Sequence, residues 1–134
     1  MAWREDFGGA KVALFLGDVL AVIQRDDIPG LPWAGYWDLP GGGREAGETP
    51  FECLAREVTE ELGLALPSTA ISLQRRFETS EAINWFFVAH LPATAADRVA
   101  FGDEGQGWTL MTPAAYCTHP KAIPRFQDRL RLTL

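Results

Sequence analysis

Hydrophobic and polar positions alternate in a strand-like pattern from residue 10 to residue 25, around the pair Gly17-Asp18. Side chains on a β-strand point to opposite faces in turn, and a Gly-Asp pair between two alternating runs is typical of a tight turn. The pattern therefore predicts a β-hairpin made of strands 11–16 and 19–24.

The remaining strand-like and helix-like segments are short and come in mixed order. They predict a Pro- and Gly-rich loop over 26–36, a short strand at Trp37, strands over 71–79, 83–91 and 108–111, and helical segments over 112–116 and 123–132. No repeat, linker or low-complexity segment interrupts this order, and 134 residues is an ordinary length for one domain. We therefore expect a single α/β domain over residues 1–134.

The clearest helix signal lies between Thr49 and Gly63. Thr49 suits an N-cap, Pro50 suits the first helical position, and Glu52 completes a capping box. Gly63 suits the left-handed residue that ends a helix. At about 100° per residue, the apolar side chains fall on one stripe that we expect to face the core. These side chains are Phe51, Leu54, Ala55, Val58 and Leu62.

Three glutamates cluster beside the apolar stripe of this helix. Glu57, Glu60 and Glu61 share an arc of roughly 100°, because residues three and four apart are neighbours on a helix surface. Repulsion between such charges costs on the order of 0.2–0.5 kcal/mol per pair, and the helix dipole disfavours anions in the last turns. A bound cation would reverse both effects. Because carboxylate oxygens suit Mg²⁺ or Mn²⁺, the cluster favours a divalent-metal site over a solvated helix face.

Charge and composition narrow the range of partners. A net charge of −6 argues against a long nucleic acid, because binding to a phosphate backbone depends on clustered Lys and Arg. The sequence has no run of about 18 apolar residues that could cross a membrane. Cys53 and Cys117 indicate free thiols in a reducing compartment, and the polar N-terminus has no apolar signal core. We therefore expect a cytoplasmic protein, either a monomer or a homodimer.

The glutamate cluster belongs to a longer motif. Gly42 is followed by Glu48 and then by the run Arg56-Glu57-Val58-Thr59-Glu60-Glu61-Leu62-Gly63-Leu64. With this spacing the segment resembles the Nudix box, and the chain resembles a Nudix hydrolase of the MutT-like branch. The flanking segments 37–41 and 104–108 resemble the strand that precedes the box and a MutT-like segment that follows it.

This resemblance implies a fold and a metal site. The implied fold is an α/β/α sandwich around a central mixed β-sheet. The implied cofactor is Mg²⁺ or Mn²⁺, bound by carboxylates and one backbone carbonyl. The implied ligands are Glu57, Glu60, Glu61 and the carbonyl of Gly41, and Glu104 is implied as either a further ligand or the general base.

The resemblance also implies metal-assisted hydrolysis of a phosphoanhydride, in which a glutamate removes a proton from the attacking water. Glu57 and Glu104 are the two candidates for this base, and the sequence does not choose between them. Glu48 and Arg56 complete the catalytic set, and we expect them to hold the glycine loop to the helix.

The implied substrate is a small molecule, a nucleoside diphosphate linked to another group, and a nucleoside triphosphate is favoured. The candidate substrate contacts are Arg25, Trp33, Tyr36 and Gly42. MutT-like enzymes read oxidised guanine with an asparagine near the C-terminus, whereas Asn84 is the sole asparagine here. Thr79 and Ser80 stand where ADP-ribose and dinucleoside polyphosphate enzymes carry proline or tyrosine.

Alternative functions within the same fold stay open. One is a non-catalytic module that senses nucleotides, and another is an ADP-ribose or dinucleoside polyphosphate pyrophosphatase. An isopentenyl diphosphate isomerase would be expected to have a longer chain and a catalytic cysteine. A panel of nucleotides tested beside isopentenyl diphosphate would discriminate among them.

Overall fold

The computed structural model describes residues 6–134, so residues 1–5, which form most of the polar N-terminus considered above, lie outside the described residues. The strands and helices are β1 (Gly9–Leu16), β2 (Val19–Gln24), β3 (Trp37–Asp38), β4 (Gly41–Gly43), α1 (Pro50–Leu62), β5 (Ile71–Glu78), β6 (Ile83–Leu91), β7 (Gly107–Met111), α2 (Pro113–Thr118) and α3 (Pro124–Thr133). Short 3₁₀ turns at Ser68–Ala70 and Ala93–Arg98 precede β5 and follow β6.

The strands form one mixed seven-stranded sheet with β1 near its centre. β1 is parallel to β6 and antiparallel to both β2 and β4. β2 also pairs in antiparallel fashion with β3 and β7, and β5 pairs in the same way with β6. Because β4 pairs with the first residues of β1, the glycine segment before α1 lies in the middle of the sheet.

Successive residues of β1 face two hydrophobic cores on opposite sides of the sheet. Val12 packs in a core with Leu54 and Val58 of α1. Ala13 packs in the other core with Phe126 of α3. Helices therefore cover both faces, and the expected α/β/α sandwich around a mixed sheet is confirmed.

The capping residues of α1 act as the sequence predicts. Thr49 Oγ1 accepts a hydrogen bond from Glu52 N at 3.2 Å, and Glu52 Oε1 accepts one from Thr49 N at 2.9 Å. At the other end, Gly63 N donates to Thr59 O at 2.9 Å. The helix is thus fixed at both termini, which sets the positions of the glutamates between them.

The glycine segment differs from the predicted loop, because Gly41–Gly43 forms strand β4. A Cβ atom at Gly41 would overlap the carbonyl of Ala10, and one at Gly42 would overlap the carboxylate of Glu57. Glycine thus lets β4 lie against both β1 and α1, and the absence of side chains also hides the strand from a hydrophobicity pattern. The other predicted strands and helices are confirmed to within two residues at each end.

Both cysteines are free thiols, as predicted. Cys53 is fully buried in the α1 core, and this burial raises the pKa of its thiol to about 11. Cys117 is partly buried. None of the helices within residues 6–134 has the length and apolar character needed to cross a membrane.

Candidate active site

Backbone hydrogen bonds join the C-terminal end of α1 to the loop that follows the second 3₁₀ turn. Ala100 N donates to Leu62 O, and Gly102 N donates to Glu61 O, each at 2.9 Å. The carbonyls at a helix end have no partner within the helix, so the loop satisfies two of them. As a result, residues 103–104 lie beside the glutamates of α1.

Gly105 anchors the other end of this loop to β2. Gly105 N donates to Asp26 Oδ2 at 3.2 Å, and Gln106 N donates to Gln24 O at 2.8 Å. The φ angle of Gly105 is +95°, and a Cβ atom there would lie 2.8 Å from Gln24 O. Because this conformation and this contact both disfavour other residues, Gly105 fixes the backbone that carries Glu104.

Five carboxylates line one cavity of about 290 Å³ at the junction of α1 and the loop. They belong to Glu57, Glu60, Glu61, Asp103 and Glu104. The structure therefore brings together the four carboxylates that the sequence predicts as ligands or general base and adds Asp103, which the sequence analysis did not select. The position of Asp103 immediately before Glu104 was the available signal.

Arg56 lies among these carboxylates and donates from each of its three nitrogens. Nε contacts Glu48 Oε2 at 2.7 Å, and Nη1 contacts Glu57 Oε1 at 2.7 Å and Glu60 Oε2 at 3.2 Å. Nη2 donates to the carbonyl of Gly43 at 2.7 Å. The Arg56 guanidinium holds the pKa of Glu48 below its usual value. These contacts tie β4 to α1.

Burial and repulsion from neighbouring carboxylates disfavour the charged forms of Glu57 and Glu61. Burial is the main cause that raises the pKa of Glu57, the Arg56 guanidinium opposes it, and nearby Glu60 adds to the rise. Burial also raises the pKa of Glu61 to about 8, although the positive charge of Lys11 acts in the opposite direction. A positive partner would therefore stabilise the ionised forms.

The donor chemistry of the cavity fits a hard cation, because carboxylate oxygens are the ligands that such ions prefer. As placed, no group of three or more His, Cys, Asp or Glu side chains within residues 6–134 has the geometry of a metal site. Arg56 Nη1 instead contacts both Glu57 and Glu60. A cation would compete with this guanidinium for the same carboxylates.

Gly41 connects Glu61 to Lys11 across β4. Gly41 N donates to Glu61 Oε1 at 2.8 Å, and Gly41 O accepts from Lys11 Nζ at 3.0 Å. Lys11 Nζ also forms an ion pair with Asp38 at 3.1 Å, and Asp38 is only 6% exposed. The carbonyl predicted as a metal ligand is thus hydrogen-bonded to an ammonium group.

Residues 8–132 match the family model described as the NUDIX domain. The chain belongs to the Nudix family. The match contains every residue of the carboxylate cavity and extends over all seven strands and most of α3. The predicted resemblance is therefore confirmed.

The chain is also similar to curated relatives and to solved structures whose names are consistent with the Nudix family. A Mycobacterium tuberculosis protein provisionally named 8-oxo-dGTP diphosphatase 2 is 48% identical over 59 residues, which cover 44% of this chain and 40% of that protein's length. The MutT protein from Methanosarcina mazei Go1 superimposes with a TM-score of 0.72 at 22% identity, covering 94% of this chain and 91% of the other.

A bifunctional NMN adenylyltransferase/ADP ribose pyrophosphatase from Francisella tularensis, solved with AMP and a Mn ion, has a similar fold. Its TM-score is 0.72 at 17% identity, and the superposition covers 97% of this chain but 42% of that one. At this identity the likeness shows the fold alone.

The candidate substrate contacts lie in different places in this Nudix domain. Arg25 donates to Asp38 Oδ2 at 3.2 Å and lines a cavity of about 280 Å³ together with Glu61 and Glu104. Gly42 lines a larger cavity of about 570 Å³ on the other side of β4. The structure thus separates Arg25 from Gly42.

Trp33 and Tyr36 contact each other within the predicted loop, with ring centroids 5.0 Å apart. Neither ring lines the carboxylate cavity, the cavity beside Arg25 or the larger cavity. Their role in binding stays a prediction.

Lys11 and Asp38 are polar residues of the site that the sequence analysis did not assign. Lys11 is the single charged residue in an otherwise apolar strand, and Asp38 is a buried acid between Trp37 and Leu39. Each of these was a visible exception to its local pattern. Their pairing could not be read from the sequence, because it joins strands 27 residues apart.

Proposed function

We propose that this Nudix protein hydrolyses a phosphoanhydride bond in a nucleoside diphosphate linked to another group, with a nucleoside triphosphate as the favoured substrate. The observation that carries the proposal is the cavity of about 290 Å³ whose five carboxylates come from α1 and the loop beside it. The names of the relatives, 8-oxo-dGTP diphosphatase and ADP ribose pyrophosphatase, support a nucleotide substrate.

A divalent cation, Mg²⁺ or Mn²⁺, is the cofactor we propose. Its ligands would be Glu57, Glu60, Glu61 and the carbonyl of Gly41, and Glu104 would join them as a further ligand only where Glu57 acts as the general base. The Mn ion in the Francisella tularensis structure supports a divalent cation as the cofactor. When bound, the cation would polarise phosphoryl oxygens and neutralise charge that develops on them. The carboxylates that now contact Arg56 supply the negative charge that such a cation needs.

Glu104 is the general base that we favour. Its side chain is exposed, and it makes no hydrogen bond or ion pair with any residue in the described part of the chain. Glu57, the alternative, has its Oε1 atom occupied by a 2.7 Å hydrogen bond from the Arg56 guanidinium, so this oxygen is not free to accept a proton from water. A carboxylate oxygen of Glu104 would therefore take the proton from the attacking water.

Arg56 and Glu48 act in this proposal by positioning. Arg56 donates at once to Glu48 and to the carbonyl of Gly43, and it thereby holds β4 against the helix that carries the glutamates. Lys11 holds the neighbouring carbonyl of Gly41. The side chains of Arg56 and Lys11 thus keep the backbone of β4 in place, so that the phosphate chain of a substrate can lie along this strand.

Incubation with a panel of nucleotides, with and without Mg²⁺ or Mn²⁺, tests the proposal. We expect hydrolysis of at least one nucleoside triphosphate or nucleoside diphosphate derivative, seen as two phosphate-bearing products by ion-exchange chromatography. Prior chelation with EDTA should abolish the reaction. Full activity after exhaustive chelation would contradict the metal-assisted mechanism, and nucleotide binding without any turnover would favour the sensing module.

A further inference from the structure

The cavity of about 570 Å³ on the other side of β4 carries positive charge that no acidic side chain within residues 6–134 pairs with. It lies between the first residues of β1, β4, the turn between β5 and β6, and α3. Lys11, Arg125 and Arg129 line it, and Glu81 is the one acidic side chain among its described lining residues. Because Lys11 is paired with Asp38, the two arginines supply the uncompensated charge.

Arg125 and Arg129 donate no hydrogen bond from their guanidinium groups and form no ion pair with any residue between 6 and 134. Arg56, by contrast, donates from each of its guanidinium nitrogens. A guanidinium presents five N–H donors, so the cavity faces a large number of unused donors. Such a surface matches a ligand that only accepts hydrogen bonds.

Stacking explains part of the arrangement of the two guanidiniums. Arg129 lies over the rings of Phe77 and Phe126, at 4.6 and 5.7 Å from their centroids, and Arg125 lies 5.0 Å from the centroid of Phe126. Stacking uses the flat faces of a guanidinium and leaves its N–H groups, which point outward in the plane, without partners. The aromatic rings therefore orient the two arginine side chains but accept no hydrogen bonds from their N–H groups.

The positions of the two arginines on α3 are unfavourable for the isolated helix. They are four residues apart, so their like charges repel, and Arg125 lies in the first turn, where the helix dipole disfavours a cation. Arg129 is also partly buried, and burial lowers the pKa of its guanidinium. A bound anion would relieve the repulsion and the unfavourable dipole interaction.

We propose that this cavity binds a phosphate group at the end of the substrate that is remote from the hydrolysed anhydride, with Arg125 and Arg129 as its donors. The proposal rests on the proposed function and narrows it to nucleoside diphosphate derivatives that carry a further phosphate group away from the hydrolysed anhydride, in place of simple nucleoside triphosphates. Gly42 lies between the two cavities, since its α-carbon borders the Glu57 carboxylate and it also lines the larger cavity. One molecule could therefore extend from one cavity to the other past Gly42.

Binding without metal tests the phosphate site independently of hydrolysis. The probes are adenosine 3′,5′-bisphosphate and AMP, which differ by one phosphate, titrated in EDTA and followed by NMR. We expect the bisphosphate to bind at least about 10-fold more tightly, as for one or two hydrogen bonds between charged groups. Equal affinities for the two probes, or no binding of the bisphosphate, would overturn the proposal.

Arginine variants test whether the additional phosphate of the bisphosphate binds at α3. Arg125→Gln with Arg129→Gln should remove the preference for the bisphosphate, whereas Arg75→Gln should retain it. Arg75 is the matched control, because it stacks on Phe77 at 4.9 Å and carries the same charge but does not line the cavity. If the double variant does not fold, the exposed Arg125→Gln alone decides. A preference that persists in a folded variant overturns the proposal.

Turnover separates this proposal from the proposed function. The substrates are matched pairs, NADPH with NADH and coenzyme A with its 3′-dephospho form, assayed with Mg²⁺. We expect a higher kcat/KM for the phosphorylated member of a pair, and equal values would overturn the distal phosphate site while the hydrolase assignment stands. If the titration in EDTA shows the preference but no nucleotide of any kind is hydrolysed, the hydrolase assignment fails and the anion site stands.

Discussion

Two helices of this protein, α1 and α3, carry clusters of like charge, and the two clusters differ in the side chains that surround the charged groups. Glu60 and Glu61 lie in the last turn of α1, and Arg125 lies in the first turn of α3, so both clusters oppose the dipole of their own helix. Arg56 contacts the α1 carboxylates directly, whereas Arg125 and Arg129 have aromatic rings as their neighbours. The acidic cluster therefore contains its own counter-ion, and the basic pair does not.

This difference indicates two kinds of binding. In α1 a cation must compete with Arg56, so binding there exchanges one positive partner for another. In α3 an anion meets guanidinium donors that form no hydrogen bond with the part of the chain that the structure describes, so its binding adds hydrogen bonds without breaking any of the described ones. We expect variants of the first cluster to change both stability and catalysis, and variants of the second pair to change mainly substrate choice.

The largest effect is expected at the edge of the acidic cluster, where Glu104 forms no ion pair with any cation among residues 6–134. Glu104→Gln should lower kcat by about 10²-fold or more, the usual contribution of a positioned general base. The measurement is steady-state hydrolysis of the best nucleotide at saturating metal. Asp103→Asn is the control, since it removes a neighbouring carboxylate from the same cavity and should cost less than 10-fold. Near wild-type turnover by Glu104→Gln would transfer the role of base to Glu57.

Removal of the internal counter-ion should give the largest loss of stability. Arg56→Gln leaves Glu48, Glu57 and Glu60 without their shared partner, and we expect it to lower the free energy of unfolding by about 2 kcal/mol, less than for a fully buried pair because Arg56 is 21% exposed. Urea titration of the metal-free protein measures this loss.

The control for that experiment is Arg75→Gln. Arg75 is exposed and forms no ion pair with any residue between 6 and 134, so its replacement should change the free energy of unfolding by less than about 0.5 kcal/mol. Equal losses in the two variants would mean that Arg56 does not act as a counter-ion.

The contrast between the clusters also shows what the sequence could predict. The α1 helix, its caps and the arc of glutamates follow from local spacing, because helix geometry alone fixes which side chains are neighbours. Glu104 required the family resemblance, since its position depends on backbone bonds from Gly102 and Gly105 to segments far away in sequence. Periodicity carries no information about contacts of that kind.

The basic pair could not be predicted at all. The sequence analysis places Arg125 and Arg129 in a predicted helical segment and gives them no role, and only the tertiary structure shows that they line a cavity beside β4. β4 itself was hidden because glycines have no side-chain pattern. The role of Lys11 could not be predicted either, because it depends on a tertiary contact: its partner Asp38 lies on a different strand.

Replacement of Glu61 in the acidic cluster of α1 should have a smaller effect on the free energy of unfolding, and this effect should depend on pH. The folded-state pKa of Glu61, about 8, lies above the ordinary 4.5, so the stability associated with its protonated form is fully present below about pH 4.5 and is lost as pH rises through 8. Glu61→Gln cannot ionise, yet its amide oxygen can still accept the hydrogen bond from Gly41 N. The metal-free variant should therefore become more stable than the wild type as pH rises.

We expect this advantage of Glu61→Gln to reach about 1 kcal/mol near pH 8, well below the full value of the pKa shift because the group keeps some access to water. Urea titrations in EDTA at several pH values measure it as a difference from the wild type, which cancels the contributions of other groups. A constant difference across this pH range would refute the account of Glu61. Added Mg²⁺ should reduce the difference, because the wild type alone keeps this ligand charge.

The smallest effect on stability is expected on the basic side, where it separates a structural role from a binding role. Arg125→Gln removes repulsion from Arg129 and an unfavourable dipole interaction, which together offset the loss of one cation–π contact with Phe126. Each of these contributions is a few tenths of a kcal/mol to about 1 kcal/mol, so we expect a net change within about 0.5 kcal/mol. Thermal unfolding at low and high salt measures it, and salt should reduce any gain because it screens the repulsion. A loss above about 1 kcal/mol would show that the protein itself uses the Arg125 guanidinium, and the charge of the cavity would then need no ligand to explain it.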